Sequence, residues 1–229
     1  MRIDDHHQEI IHCQKCIRLV RWREEIAYQK RKAYQSWEYW GKPVPGFGDL
    51  SGRVIVVGLA PGAHGSNRTG RMFTGDASGD FLFPALNRAG FASKGISEHR
   101  NDGLVLNDMF ITAVCRCVPP DNKPTSEEIL NCRNYLETEI RMMENLKVIV
   151  TLGAIAHYEI KHYLWVEKGI LNLHPFSHLG MTRINELGIS VISSYHPSRQ
   201  NTQTGRLTEE MFDGVWKKVQ ENLNKSDVV

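Results

Sequence analysis

The sequence predicts an α/β protein in which helices cover both faces of a parallel β-sheet, in the doubly wound manner. Three observations carry that prediction. Short β-branched runs alternate with longer helix-like stretches, as successive βαβ units require. The run 53–57, RVIVV, is apolar almost without a break, as a strand buried on both faces must be. It feeds directly into a long loop of glycines and small polar residues, LAPGAHGSNRTGRMFTGDASG, and ligands gather where parallel strands end.

In chain order, the N-terminal region reads as an aromatic, basic helix. Arg18, Arg21, Arg23, Lys30, Arg31 and Lys32 are interleaved there with Trp22, Tyr28, Tyr34, Trp37 and Trp40. One packed and one solvated face accounts for most such runs, and the same surface offers contact to phosphates. Residues 41–49, with Pro43, Pro45 and their glycines, form a loop into the sheet. Strands are expected at 53–57, 104–114, 147–152 and 189–195, with helices between them. The helix 126–143 opens on Thr125 and Ser126 ahead of Glu127 and Glu128, another follows Gly153 directly, and the last begins near 208. No repeat or low-complexity linker interrupts the chain, which reads as one domain over 1–229.

With 229 residues, 41% of them apolar and 24% charged, the chain can bury a sizeable core. A formal charge of +2 permits a nucleic-acid partner without demanding one. No apolar run approaches the roughly 18 residues of a membrane span. The charged opening residues do not resemble a signal peptide, so a cytoplasmic location is expected.

Five cysteines in such a chain argue against a disulfide framework and for metal ligation. Cys13 and Cys16 form a CxxC pair whose thiolates can reach one centre, and Cys117 and Cys132 lie about a hundred residues later. One pair plus two scattered cysteines fits a cubane iron–sulfur cluster at least as well as a zinc ribbon, and spacing alone does not choose between them. Buried apolar filler is the commoner role of any single cysteine, a reading that four together weaken. Cys115 is two residues from Cys117, so an extended backbone puts both on one side, and either could be the ligand.

The loops after the strands share one rim. The first holds Phe73, a flat apolar face, and Asp76, a carboxylate, among glycines that allow close approach. The second, ITAVCRCVPPDNKPTSEE, stiffens at Pro119 and Pro120 and presents the amide of Asn122. After the last strand, His196 precedes a proline and a polar run, Ser198 to Asn201, suited to phosphates. Taken singly, an asparagine in a proline turn is usually a turn residue and a histidine at a strand end is usually structural. Together they place carboxylate, amide and imidazole at one crevice.

The segments GLAPGAHGSNRTGRMFTGDASG (58–79), RCVPPDNKPT (116–125) and HPSRQNTQTGRLT (196–208), with four cysteines in matching order, make the chain closely similar to the family 5 uracil-DNA glycosylases. These are the iron–sulfur type found in prokaryotes, and the resemblance spans nearly the whole chain. It implies a three-layer α/β/α sandwich with a central four-stranded parallel sheet and a [4Fe–4S] cluster held by Cys13, Cys16, Cys117 and Cys132. The implied reaction is hydrolysis of the N-glycosidic bond of uracil in DNA, leaving an abasic site. Asp76, Asn122 and His196 fall on the family's catalytic positions, and Gly58, Ala60, Phe73, Ala113 and Ser198 on the positions around the base. A base inside a duplex is out of reach, so the nucleotide must flip into the pocket. A monomer acting on DNA at the nucleoid is the corresponding expectation.

Two departures from relatives bear on water and specificity. The GLAPG segment puts Leu59 and Ala60 where better-known glycosylases carry a polar residue that activates water, so either Asp76 takes that duty or the chemistry proceeds differently. Ala113 stands where the family 4 pattern has an asparagine that reads uracil's edge; alanine there loosens selection and points to hypoxanthine and other deaminated bases as further substrates. The rival of another class is a non-catalytic iron–sulfur or zinc protein that binds nucleic acid. A nucleotide-binding enzyme is a weaker rival, because the glycine spacing matches neither a P-loop nor a dinucleotide fingerprint.

Overall fold

The computed structural model describes residues 2–226. Two helices come first, α1 (Ile3–Ile11) and α2 (Ile17–Gln29), on either side of the CxxC pair. A short edge strand β1 (Phe47–Gly48) precedes β2 (Val54–Gly58), the single turn α3 (Ser66–Thr69) and α4 (Ala77–Arg88). Then follow β3 (Met109–Ala113), α5 (Ser126–Met142), β4 (Val148–Leu152), α6 (Ala154–Lys168), β5 (Met181–Ile184) and β6 (Ile189–Ser194). A short α7 (Arg199–Gln203) and the long α8 (Glu209–Ser226) close the described chain.

Local chemistry sets the helix ends. Thr125 forms a capping box with Glu128: its hydroxyl accepts the Glu128 N–H at 3.2 Å while the Glu128 carboxylate accepts the Thr125 N–H at 2.8 Å. Helix α6 ends on Gly169 at φ 70°, the left-handed stop that glycine adopts without steric cost.

The sheet runs β1-β3-β2-β4-β6-β5, and its four inner strands are parallel. These are the four strands expected from the sequence. The two antiparallel edge strands were not expected: β1 lies within the loop 41–49 and β5 alternates too weakly to announce itself. The second expected strand, 104–114, begins only at Met109. Asp108 adopts φ 56°, and its carboxylate accepts the Arg53 N–H at 2.7 Å, so the chain turns there instead of extending.

Alternation along each inner strand feeds two cores. Val54 and Val56 pack with α4 and with Phe212, Val215, Trp216 and Val219 of α8, whose three-to-four spacing makes one helical stripe. Ile55 and Val57 pack on the other face against Leu136 and Ile140 of α5 and Ile160 and Leu164 of α6. The result is the three-layer sandwich. β2 and β4 are neighbours, but β2 leads away to β3 and β4 to β6, so their outgoing loops diverge and leave a crevice at the carboxyl edge.

The N-terminal helices are fastened by buried charge rather than by strands. Arg116, after β3, pairs with Glu139 of α5 at 2.6 Å, and the Thr112 hydroxyl donates to the same carboxylate at 2.6 Å. His6 of α1 lies 3.9 Å from the other Glu139 oxygen, and the Arg116 carbonyl accepts the Val44 N–H at 2.7 Å. Arg116 and Glu139 are fully buried. Replacing Glu139 with alanine strands that guanidinium in an apolar interior, so urea unfolding should show a loss of about 3–5 kcal/mol.

Candidate active site

The crevice between β2 and β4 holds a cavity of about 340 Å³, within the roughly 300–1,000 Å³ usual for small-ligand sites. Asp76, Asn122, His196, Ala60, Phe73 and Ser198 all line it, so three separate loops converge as their sequence positions predicted. Gly58 and Ala113 do not. They are partners in the β2–β3 ladder, and a Cβ on Gly58 would lie 2.6 Å from the Phe73 ring, so both sit a layer behind Phe73.

Asp76 is the N-cap of α4. Its Oδ1 accepts the N–H groups of Ser78 at 3.0 Å and Gly79 at 3.2 Å, which fixes the carboxylate against the helix N-terminus. Oδ2 rests against bare backbone: a Cβ on Gly62 would meet it at 2.6 Å and one on Gly65 at 1.9 Å. Burial lifts the Asp76 carboxyl above its ordinary range, with Asp80 adding to the rise, while the two amides and Arg68 oppose it.

Phe73 reaches the cavity through a left-handed backbone, φ 52°, a conformation that costs a bulky residue about 1–2 kcal/mol. A Cβ on Gly79 would meet its carbonyl oxygen at 1.8 Å, so that position must be bare. The Phe73 ring stacks on His196, centroids 5.9 Å apart and planes 28° from parallel. Burial without a charged partner lowers the His196 imidazole to about 4, leaving it neutral at physiological pH. Asn201 donates to the His196 carbonyl at 2.8 Å, and the Ser198 hydroxyl caps α7 through the Asn201 N–H at 3.4 Å.

Asn122 and its neighbour Asp121 both hold positive φ, 56° and 53°, in the turn that follows Pro120. Asp121 lines the cavity too, as do Ser66 and Ser78, none of which the sequence singles out, and Gln200 of the polar run after His196. The signal available for Asp121 was the Asp-Asn dipeptide after two prolines, since these are the residue types that tolerate the left-handed region.

His64 lies elsewhere, its Nδ1 hydrogen-bonded with the Tyr39 hydroxyl at 3.0 Å. Asn67 donates to the Arg23 carbonyl at 3.2 Å and its own carbonyl accepts the Gly41 N–H, so it ties the loop after β2 to the N-terminal region. Of the basic run, Arg18 forms a two-pronged pair with Glu128 at 2.8 and 2.7 Å, and Arg23 turns inward.

Cys13, Cys16, Cys117 and Cys132 line one small space between α2 and α5, whereas Cys115 is wholly buried outside it. Arg23 is fully buried there and donates to the Cys117 sulfur at 3.1 Å; its ion contact is the exposed Glu24 at 3.8 Å. Asn131 donates to the Cys16 sulfur at 3.5 Å. A buried guanidinium beside four thiols calls for compensating negative charge, which a thiolate-held centre supplies. Among the described residues no three such side chains close on a point that could hold a metal ion, so the sulfurs frame the space instead.

Residues 45–220 match the model of the uracil DNA glycosylase superfamily. The chain belongs to that superfamily. It is 49% identical to the type-5 uracil-DNA glycosylase of Thermus thermophilus over 205 residues, 90% of this chain and 91% of the relative. The type-5 uracil-DNA glycosylase of Mycobacterium leprae is 45% identical over 216 residues, 94% and 93% of the two chains. Among solved structures, wild-type SMUG2 of Pedobacter heparinus superposes with a TM-score of 0.46 at 14% identity over 76% of each chain, too loose a match to bear on the site. The superfamily's matched span contains Asp76, Asn122 and His196 together with the crevice they line.

Because the His196 ring is neutral when folded and titrates at its ordinary value when unfolded, acid favours the unfolded chain between about 6.5 and about 4. Nitrogen-15 NMR of the ring should therefore report a neutral imidazole down to about pH 4.

Proposed function

We propose that this protein is a uracil-DNA glycosylase of base-excision repair, hydrolysing the N-glycosidic bond of uracil in DNA to leave an abasic site. The observation that carries the reading is the meeting of Asp76, Phe73 and a neutral His196 in one cavity of a chain so close to type-5 enzymes.

Cleavage of the bond leaves positive charge on the sugar and negative charge on the departing base, so groups complementary to those charges lower the barrier. His196 donates a hydrogen bond from its neutral ring to the base as anionic charge grows there. Asp76 faces the sugar, where its carboxylate stabilises the oxocarbenium-like cation and aligns the attacking water through Oδ2. Asn122 steadies that water or the base from the opposite loop. Phe73 supplies the flat face for a flipped base, with Ala60 and Ser198 completing the wall and Gly58 making room for the ring. The water's oxygen ends on the sugar and its proton on the base. Ala113 carries no side-chain donor or acceptor that could select uracil's edge, and the proposal therefore extends to hypoxanthine and other deaminated bases.

We assign a [4Fe–4S] cluster to Cys13, Cys16, Cys117 and Cys132, with Arg23 and Asn131 as donors to the sulfurs. When bound it supplies a covalent tie between α2 and α5, and the hydrolysis needs no redox step. The whole chain acts as one domain and as a monomer on nucleoid DNA; no described helix is long and apolar enough to cross a membrane. A non-catalytic binder would give no reason for an acid and an imidazole to share a cavity.

The test incubates wild type, Asp76→Ala and His196→Ala with duplexes carrying one uracil or one hypoxanthine, followed by alkali and a gel. Each variant should lose on the order of 10²–10³ in single-turnover rate, the usual effect of removing one stabilising group. A wild type with bound cluster that yields no alkali-labile product from either duplex would sink the reading. Separately, Cys132→Ala should lose iron and thermal stability together; a stable, iron-free and fully active variant would contradict the structural role of the cluster.

A further inference from the structure

Arg68 differs from the other buried arginines, Arg23, Arg71 and Arg116, each of which lies within 4 Å of a carboxylate. It is 4% exposed, yet it makes no ion pair with a carboxylate among the described residues. Two aromatic faces enclose it instead: its guanidinium carbon is 3.9 Å from the Tyr34 ring centroid and 4.1 Å from that of Trp37. Held in the corner between these rings, whose planes stand 79° apart, Nε donates to the His64 carbonyl at 2.6 Å and Nη2 to the Gly75 carbonyl at 2.8 Å. The two acceptors flank Asp76. Gly75 is the residue before it, and His64 adjoins Gly65, whose bare backbone touches the Asp76 Oδ2.

We propose that Arg68 is the positioning residue of Asp76, its rigid fork clamping both stretches of backbone that hold the carboxylate. The inference rests on the function proposed above and adds a residue to it. Such a clamp is needed because Phe73 and Gly75 both have positive φ, 52° and 76°, so this stretch does not take its shape from regular hydrogen bonding. Two weaker ties assist: the Thr69 hydroxyl donates to the Thr74 carbonyl at 3.2 Å, and the Gly75 N–H to the Ser97 carbonyl at 3.1 Å. Among cationic side chains only arginine carries donors on separate nitrogens in one rigid plane, and contact with both the Tyr34 and Trp37 rings restricts where that plane can turn.

Position carries an electrostatic consequence. Asp80, on the same helix, disfavours the ionised form of Asp76, while Arg68 favours it; His196 and Asp121 line the same cavity from the facing loops. The carboxylate must be ionised to face a cationic sugar, so Arg68 both places Asp76 and helps keep it charged.

The experiment combines two readouts on wild type, Arg68→Ala and Arg68→Lys. One is the carbon-13 titration of the Asp76 carboxyl, assigned by its loss in Asp76→Asn. The other is the pH profile of single-turnover uracil release. Arg68→Ala should slow release on the order of 10²-fold, as a misplaced catalytic group does, with little change in affinity for uracil-containing duplex. Its Asp76 midpoint and its acid limb should both move to higher pH. Arg68→Lys keeps a cation without the fork, so its midpoint should stay near that of wild type while release remains slow. A folded Arg68→Ala whose midpoint and acid limb do not move, or whose rate matches wild type, overturns the proposal. If Arg68→Ala does not fold, Trp37→Leu frees the guanidinium from one face; slower release with an unmoved midpoint supports the clamp, and an unchanged rate overturns it. Absence of uracil release by wild type would count against the proposed function alone, because the Asp76 titration still reads the effect of Arg68.

Discussion

One carboxylate pinned between two helix amides and bare glycine backbone is the constraint on which the carboxyl edge of the sheet depends. Asp76 can sit there only because Gly62 and Gly65 leave room for Oδ2, and the loop can turn inward only because Gly79 lets the Phe73 carbonyl pass. These glycines are spaces, occupied by neighbouring atoms, and they do not confer looseness. The accompanying backbone strain is concentrated at the same place: Phe73, Asp121 and Asn122, half of the non-glycine residues with positive φ among those described, all line the cavity. Strain of about 1–3 kcal/mol per residue persists only where surrounding contacts over-determine it.

Burial does the rest of the electrostatic work, and it acts on the two principal groups in opposite senses. The carboxyl of Asp76 is pushed up and the imidazole of His196 down, so both drift toward their uncharged forms. For the imidazole that outcome is useful as it stands, since a neutral ring still donates one hydrogen bond. For the carboxyl it is a liability that the helix N-terminus and Arg68 counter.

Much of this was legible in the sequence because it follows from period and from residue type. The four inner strands declare themselves by short, mostly apolar runs rich in β-branched residues, α5 by its capping residues and α6 by the glycine before it. The cavity's main side chains were legible because each follows a strand end. What escaped notice has physical reasons. Strand β1 is two residues long and β5 is mostly exposed, so neither leaves a pattern. Asp108 breaks the expected strand 104–114 through its own side-chain bonds, which no periodicity reports. Arg23 and Arg68 looked like members of a solvated basic face and a polar loop; only the fold turns one toward sulfur and the other between aromatic rings.

The fastening of α1 and α2 has a consequence for how the chain is made. Apart from Asn67, which bonds the Arg23 carbonyl, their main partners come late: Arg23 meets Cys117, Arg18 meets Glu128, and His6 lies against Glu139. During synthesis at roughly 5–20 residues per second, α1 and α2 therefore emerge seconds before the segments that carry these later partners. These helices wait for much of their docking surface, and Cys13 and Cys16 stay open to the cell's metal-loading and thiol chemistry throughout that interval.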